Sequence, residues 1–453
     1  MLNIQIIGNN QHFPLDELRP NIPVEEGVLI EGEYNFPIHK QSLNVLAYRD
    51  DRYIYAFVPA IPTSSELGVP KYNPVFYWIP KLKPGIREDL SIHQIAHGTQ
   101  RRIVPVTAPS GQCTLEEQVY YFADNFSRVS PKPIQCSVVV SNICNLKCTM
   151  CPYHSPLYTK NHKTTFLSDK NSMSWEMMEE IAQECGRHKI PVKMGNIEEP
   201  MAHKHIVKFI ETCRKEGVPT VHITSNGTLM KKKKAEALLK AGLTSLYISI
   251  DAYDPDTYLK IRGSKLEKVE ENLLNFLELR KTLNPSCVVM VSVIKNDDLP
   301  KEELNKFITK WADLVDGIIV YNLAKYDDAV THFEEINPRI AEKIKKIDDR
   351  WACVNPFQEV YITPDRRVFY CCETLLTSAY NRLETMGAYS GNNLPEIWGG
   401  PQFTKLRKDH ITNDIEKWEA CKDCTIWMAH VQDNFKEGPI NVTQNMITTI
   451  YRK

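Results

Sequence analysis

The chain has 453 residues, with 55 Lys and Arg against 56 Asp and Glu, and a net charge of −1. It is long enough for two or three domains, and its charge balance provides no global field for nucleic acid or an anionic membrane. No apolar run of eighteen or more residues occurs, and residues 1–10 (MLNIQIIGNN) lack the basic-then-apolar order of a secretion signal, so a soluble cytoplasmic protein is expected. Thirteen cysteines without such a signal point to metal ligation in a reducing compartment rather than to disulfides.

Residues 1–130 carry many prolines and aromatics. Tyr53, Tyr55 and Phe57, then Tyr72, Phe76, Tyr77 and Trp78, fall in short alternating runs that read as strands and loops. They predict a separate N-terminal α+β domain with the aromatics in its core. From residue 134 onward, strand patterns at 134–140, 192–195, 221–224, 245–251, 287–294 and 317–321 alternate with helical patterns at 174–188, 205–216, 231–241, 265–283 and 301–314. This alternation predicts an α/β fold, a parallel sheet wrapped by helices. Ser174 reads as an N-cap and Gly242 as a helix-terminating residue.

Residues 141–152, SNICNLKCTMCP, follow the first strand and bring Cys144, Cys148 and Cys151 onto one loop. Thiolates are soft ligands, and three on a short loop can hold three irons of a [4Fe-4S] cube while leaving the fourth iron open. A structural zinc site would instead close its shell with four ligands. The loop emerges at the carboxyl end of a strand, where α/β barrels place their active sites. Successive later strands run into residues 194–200 (MGNIEEP), 224–230 (TSNGTLM) and 248–252 (ISIDA), and then into 258–263 (YLKIRG), with Asn226 and Gly227 forming a turn above the sheet.

In this order the motifs resemble the signature of the radical S-adenosylmethionine (radical SAM) enzymes. The resemblance implies an open, partial (β/α)6 barrel, since six repeats are too few for a closed eight-stranded one. It also implies that the open iron chelates the amino and carboxylate groups of SAM, and that one electron from the reduced cluster cleaves SAM to a 5′-deoxyadenosyl radical. Glu199 would then contact the SAM amino group, Ser249 the ribose hydroxyls, and Arg262 the SAM carboxylate or ribose. Glu198 departs from the pattern, standing where relatives carry glycine.

Downstream lie Cys353, Cys371, Cys372, Cys421 and Cys424. The frame CVNP at 353–356, ITPD at 362–365, VFYC at 368–371, LPEIW at 394–398 and CKDC at 421–424 resembles the SPASM or twitch extension of peptide- and sugar-modifying radical SAM enzymes. Four thiolates, Cys353, Cys371, Cys421 and Cys424, can close one auxiliary [4Fe-4S] cluster, whereas a full SPASM domain with two clusters uses about seven ligands. The D-G-x-V-x-x-C pattern of these domains makes Cys371 the ligand, with Arg366 in the place of the glycine.

That leaves Cys372 as a spare thiol, either a buried free cysteine or a hydrogen-atom donor. A thiol S–H is comparable in strength to a peptide Cα–H, so a donor on the face opposite the abstraction inverts the centre. The length, the extra N-terminal region, the single auxiliary set and the Cys371–Cys372 pair resemble the proteusin-type radical SAM peptide epimerases, which convert L- to D-residues in ribosomally made precursor peptides. The expected organisation is an N-terminal domain at 1–130 suited to peptide binding, a radical SAM core at 131–335 and an auxiliary-cluster domain at 345–453. The expected partners are a precursor peptide and an electron donor such as flavodoxin or ferredoxin. Cys113, Cys136, Cys185, Cys213 and Cys287 read as packing residues, each an alternative donor to Cys372. Two other readings stay open: a dehydrogenase or thioether-forming enzyme whose auxiliary cluster accepts the second electron, and a non-catalytic iron-sulfur scaffold.

Overall fold

Six parallel strands form where the β-branched runs predict them: β1 (Gln135–Val138), β2 (Val192–Met194), β3 (Val221–Ser225), β4 (Ser245–Ser249), β5 (Val288–Lys295) and β6 (Gly317–Asn322). Each pairs in parallel with the next. The computed structural model describes six strand segments within residues 6–80, and then residues 131–160, 171–295, 299–327, 330–333, 350, 353, 355–378, 384–427, 432–437, 440–445 and 448–452. Along β3, Val221 and Ile223 are fully buried while His222 and Thr224 are half-buried. The period of two thus turns one face to the helices and the other to the inside of the curved sheet.

The five expected helices appear as α1 (Trp175–Arg187), α2 (Ile206–Lys215), α3 (Lys232–Lys240), α5 (Leu266–Leu283) and α6 (Lys301–Trp311), with an unforeseen α4 (Pro255–Arg262) between the third and fourth of them. Helix α1 starts where Ser174 Oγ accepts from Met177 N at 3.2 Å. It buries Met177, Met178, Ile181, Ala182 and Cys185 against the sheet, each of the larger side chains contributing about 1.5–3 kcal/mol. Gly242 follows α3 with a φ of +86° that suits glycine. Helix α4 escapes the apolar pattern because only Tyr258 and Ile261 are buried on it. Its signals are local instead: Asp254 caps Thr257 N at 2.8 Å, Pro255 opens the first turn, and Gly263 closes the helix in the left-handed region.

The C-terminal region extends this sheet at both edges. Strand β7 (Glu359–Ile362) adds in parallel to β1, followed by antiparallel β8 (Arg367–Phe369) and β9 (Gly387–Ala388). At the far edge, β10 (Gln432–Glu437), β11 (Ile440–Asn445) and β12 (Thr448–Arg452) form an antiparallel meander, with β12 paired to β6. The result is one mixed sheet of twelve strands, in the order β9-β8-β7-β1-β2-β3-β4-β5-β6-β12-β11-β10. Helix α1 joins the two regions through Glu184, a buried carboxylate that accepts from Asn392 N at 3.0 Å and Leu394 N at 2.7 Å. Glu180 on the same helix pairs with Arg366 at 2.8 Å.

Within residues 1–130 the segments Ile30–Phe36, Gln41–Arg49, Tyr53–Val58 and Val75–Pro80 form a sequential antiparallel sheet. Tyr53, Tyr55, Phe57, Phe76, Tyr77 and Trp78 lie on its last two strands. Their side-chain packing, together with Tyr72 and Cys113, lies outside the described residues.

Gly195, just past β2, has a φ of +99°, and a Cβ there would stand 2.2 Å from the Thr224 carbonyl oxygen. Gly195→Ala is therefore expected to destabilise the protein by about 2 kcal/mol or more, read as a lower urea midpoint. An unchanged midpoint would show that the two strand ends separate without strain.

Candidate functional site

Val139 and Val140 carry β1 onward in full burial before the chain turns into the cysteine loop. That loop is pinned from several sides. Asn142 Oδ1 accepts from Asn171 N at 2.8 Å, Asn145 Nδ2 donates to Thr228 Oγ1 at 2.8 Å, and Thr149 N donates to the Ile261 carbonyl at the end of α4 at 2.9 Å. The thiols themselves receive donors: Cys144 Sγ from Leu146 N at 3.5 Å and Asn226 Nδ2 at 3.9 Å, Cys148 Sγ from Arg262 Nη1 at 3.4 Å.

Burial pushes the Cys144 thiol up to about 12, and it raises Cys151 as well. Desolvated thiols hold their protons until a metal supplies the countercharge, so iron binding at this set would release protons. Among the described residues no three Cys, His, Asp or Glu side chains gather as ligands of a single ion. Thiolates on a cube each take a separate iron. Three soft donors on one loop, with hydrogen bonds and an arginine directed at their sulfurs, fit an iron-sulfur cube.

Arg262 is held by Asp251 through Nε and Nη2, and Asp251 Oδ1 accepts from Ile294 N at 2.8 Å. Glu199, 1% exposed, accepts from Met201 N at 3.0 Å, Ser225 Oγ at 2.8 Å and Asn226 N at 2.8 Å. Its carboxylate thereby sets the position of Asn226, whose carboxamide donates to Asn145 Oδ1 at 3.0 Å. Glu198, in the place of the usual glycine, folds back onto its own loop and accepts from Gly195 N at 3.1 Å and Ile197 N at 3.0 Å. Burial raises its carboxyl to about 7 against the pull of those N–H groups. Ser249 lies on the half-buried face of β4, with its hydroxyl 3.4 Å from Ser292 Oγ. Arg262 and Glu199 are thus linked to the cysteine loop, Arg262 through its guanidinium and Glu199 through Asn226 and through its own N–H to the Ile143 carbonyl at 3.0 Å, while Ser249 pairs with the next strand.

Cys353, Cys371, Cys421 and Cys424 line one cavity together with Arg350, Asn355, Tyr370 and His410. Asn355 Nδ2 donates to Cys371 Sγ at 3.2 Å, Ile426 N donates to Cys424 Sγ at 3.3 Å, and Tyr370 Oη lies 3.4 Å from Cys421 Sγ. His410 Nε2 approaches the same sulfur at 3.5 Å, and burial pushes this imidazole down to about 3, so it is neutral. Burial pushes Cys353 and Cys421 up to about 12. Four thiols from three chain segments around one cavity fit a fully ligated cluster. The sequence reading placed Asn226 only as a turn residue and missed Asn355, Tyr370 and His410 as neighbours of the sulfurs. Asn355 and Tyr370 stand close to motif cysteines, but His410 comes from a helix 11 residues before Cys421 and carries no local signal.

Cys372 opens helix α7 (Cys372–Ser378) and is not among the residues lining that cavity. It packs against the main core that holds Cys371 and also against a cluster of Val139, Ile197, Tyr361, Phe369 and Leu375, in which Tyr153 also takes part. Tyr153 Oη donates to the Cys372 carbonyl at 3.4 Å. Val139 precedes the first cysteine loop, Tyr153 follows it, and Ile197 lies in the loop after β2. The Cys372 thiol nonetheless stays in hydrogen-bond contact with that of Cys371, so it borders the auxiliary set as well as this cluster. Cys136, Cys185, Cys213 and Cys287 are buried in the main core.

The family model described as the radical SAM superfamily matches residues 138–308, and that of the SPASM iron-sulfur cluster-binding domain matches residues 353–425. The GTP 3′,8-cyclase of Alkaliphilus metalliredigens is 30% identical over 164 residues, covering 36% of this chain and 49% of that protein. The GTP 3′,8-cyclase of Petrotoga mobilis is 28% identical over 227 residues, covering 50% and 62%. The chain thus spans about half the length of the curated relatives it matches. Among solved structures, Streptococcus suis SuiB bound to the precursor peptide SuiA is similar at a TM-score of 0.47 and 15% identity, over 67% of this chain and 75% of that one. The cofactors of these domains are a [4Fe-4S] cluster with SAM and auxiliary iron-sulfur ligation. The chain therefore carries a radical SAM domain followed by a SPASM iron-sulfur domain.

Proposed function

We propose that the protein is a peptide epimerase, converting L- to D-residues in a ribosomally made precursor peptide. The observation that carries this reading is the setting of Cys372, packed with Val139, Ile197 and Tyr153 around the first cysteine loop while its thiol touches that of Cys371. In this reading Cys144, Cys148 and Cys151 hold the SAM-binding cluster, and Cys353, Cys371, Cys421 and Cys424 hold one auxiliary cluster. When bound, SAM at the reduced cluster supplies the radical that removes a hydrogen atom from a substrate Cα.

The protein's own residues bind SAM and quench the substrate radical. Arg262, Glu199 and Ser249 orient SAM, with Arg262 held in place by Asp251. Cys372 gives its thiol hydrogen atom to the opposite face of the substrate carbon, breaking one S–H bond and forming one C–H bond. The sulfur left behind regains one electron from a donor of the flavodoxin or ferredoxin class and one proton from solvent. Residues 1–130 are the proposed docking region for the peptide. Among the described residues no helix is long and apolar enough to cross a membrane.

The donors around the auxiliary sulfurs favour a second reading. Hydrogen bonds from Asn355 and Ile426 N, with Tyr370 beside Cys421, stabilise a reduced cluster. That suits a dehydrogenase in which this cluster takes up the second electron.

Anaerobically reconstituted wild type is expected to hold about eight irons per chain, Cys371→Ala about four, and Cys372→Ala about eight. Loss of iron from Cys372→Ala would make this residue a ligand and remove it as donor. Turnover of a precursor peptide in heavy water is expected to add one deuterium per inverted residue, and Cys372→Ala to yield none of that product. A product two hydrogens lighter, with no deuterium gained, would favour the dehydrogenase.

A further inference from the structure

Tyr258 stands on α4 one turn ahead of Arg262 and is 0% exposed. Its ring joins the main core, but its hydroxyl has no hydrogen-bond partner among the described residues. Leaving a buried hydroxyl unpaired costs about 1–3 kcal/mol, and a phenylalanine would fill the same space without that penalty. Such a group calls for a partner that the polypeptide does not provide.

The geometry restricts where that partner lies. Residues four apart share one face of a helix, so Tyr258 and Arg262 point the same way. Arg262 Nη1 reaches Cys148 Sγ at 3.4 Å, and the turn between them accepts from the cysteine loop through Thr149 N and the Ile261 carbonyl at 2.9 Å. Burial raises the phenol above its usual range, and the nearby charges that act on it are those of Arg262, Asp251 and Cys148. Every one of these belongs to the rim of the first thiol set.

We infer that Tyr258 donates its hydroxyl hydrogen to sulfur at the Cys148 corner of the cluster held by Cys144, Cys148 and Cys151, and thereby stabilises the reduced, more negative form of that cluster. This rests on the reading of those three cysteines as its ligands. Tyr258 is then a positioning and tuning residue: it sets how readily the cluster accepts an electron without touching substrate.

The test compares full-length wild type with Tyr258→Phe, both reconstituted anaerobically, by iron and sulfide content and by a redox titration that follows the paramagnetic signal perturbed by SAM. Equal iron, a SAM-sensitive signal in both proteins and a more negative midpoint potential in Tyr258→Phe are expected, because a lost donor destabilises the reduced cluster. An unchanged midpoint at equal iron overturns the inference, since a purely packing tyrosine would leave the potential alone. Loss of iron from Tyr258→Phe also overturns it, in favour of a role in assembly. A wild type with no SAM-sensitive signal overturns the ligand reading and the inference together, a result told apart by its appearance in both proteins.

Discussion

The ion pair between Arg262 and Asp251 beside Cys148 is the interaction on which the rest of the site depends. Asp251 is 1% exposed and Arg262 11% exposed at the side chain. Withdrawing two such charges from water costs several kcal/mol per ion, and breaking a buried pair typically costs about 3–5 kcal/mol. The pair is stable only because each partner is fully engaged. Asp251 also accepts from Ile294 N at the end of β5, and Arg262 also reaches a thiol. Four segments meet there: the end of β4, the end of β5, the last turn of α4 and the loop after β1. The guanidinium gives the region a fixed positive charge where sulfur must become anionic, which favours cluster binding over protonated thiols.

The continuity of the sheet relates the two thiol sets. Strand β1 leads into the loop of Cys144, Cys148 and Cys151, and its neighbour β7 turns through β8 into Cys371. Val139 N donates to the Ile362 carbonyl at 2.9 Å, so the two exits are locked side by side by backbone bonding. Within that frame Cys371 lines the auxiliary cavity, and Cys372, its thiol against that of Cys371, also packs with the cluster beside the first loop. This chain places a cysteine at both positions of the strand-to-helix junction.

Glu198 and Glu199 show how burial divides neighbouring carboxylates. Both lie within the same loop, yet Glu199 spans to β3 and the turn after it while Glu198 accepts from its own loop and from the Val140 backbone. The Glu198 bonds do not offset its desolvation, and its carboxyl rises to about 7. A glycine there would leave the Gly195 and Ile197 amides to find other acceptors, so the departure from the family pattern has a local structural use.

The sequence by itself determined the elements whose physics is local. Six β-branched runs became six strands, five amphipathic patterns became helices, and the cysteine spacing and CKDC frame identified both thiol sets. Helix α4 was legible only in its caps, because a helix with two buried residues carries little apolar periodicity. Contacts that close across the fold were decided by the tertiary structure alone. Nothing near Asp251 in the chain announces that its carboxylate will hold both Arg262 and Ile294, and nothing near His410 announces Cys421. Strands β7 and β12 likewise joined opposite edges of the central sheet, because unpaired backbone groups at a sheet edge accept whatever strand the chain can bring to them. Residue type and spacing specify which groups are available for chemistry, and burial with long-range hydrogen bonding then specifies which of them meet.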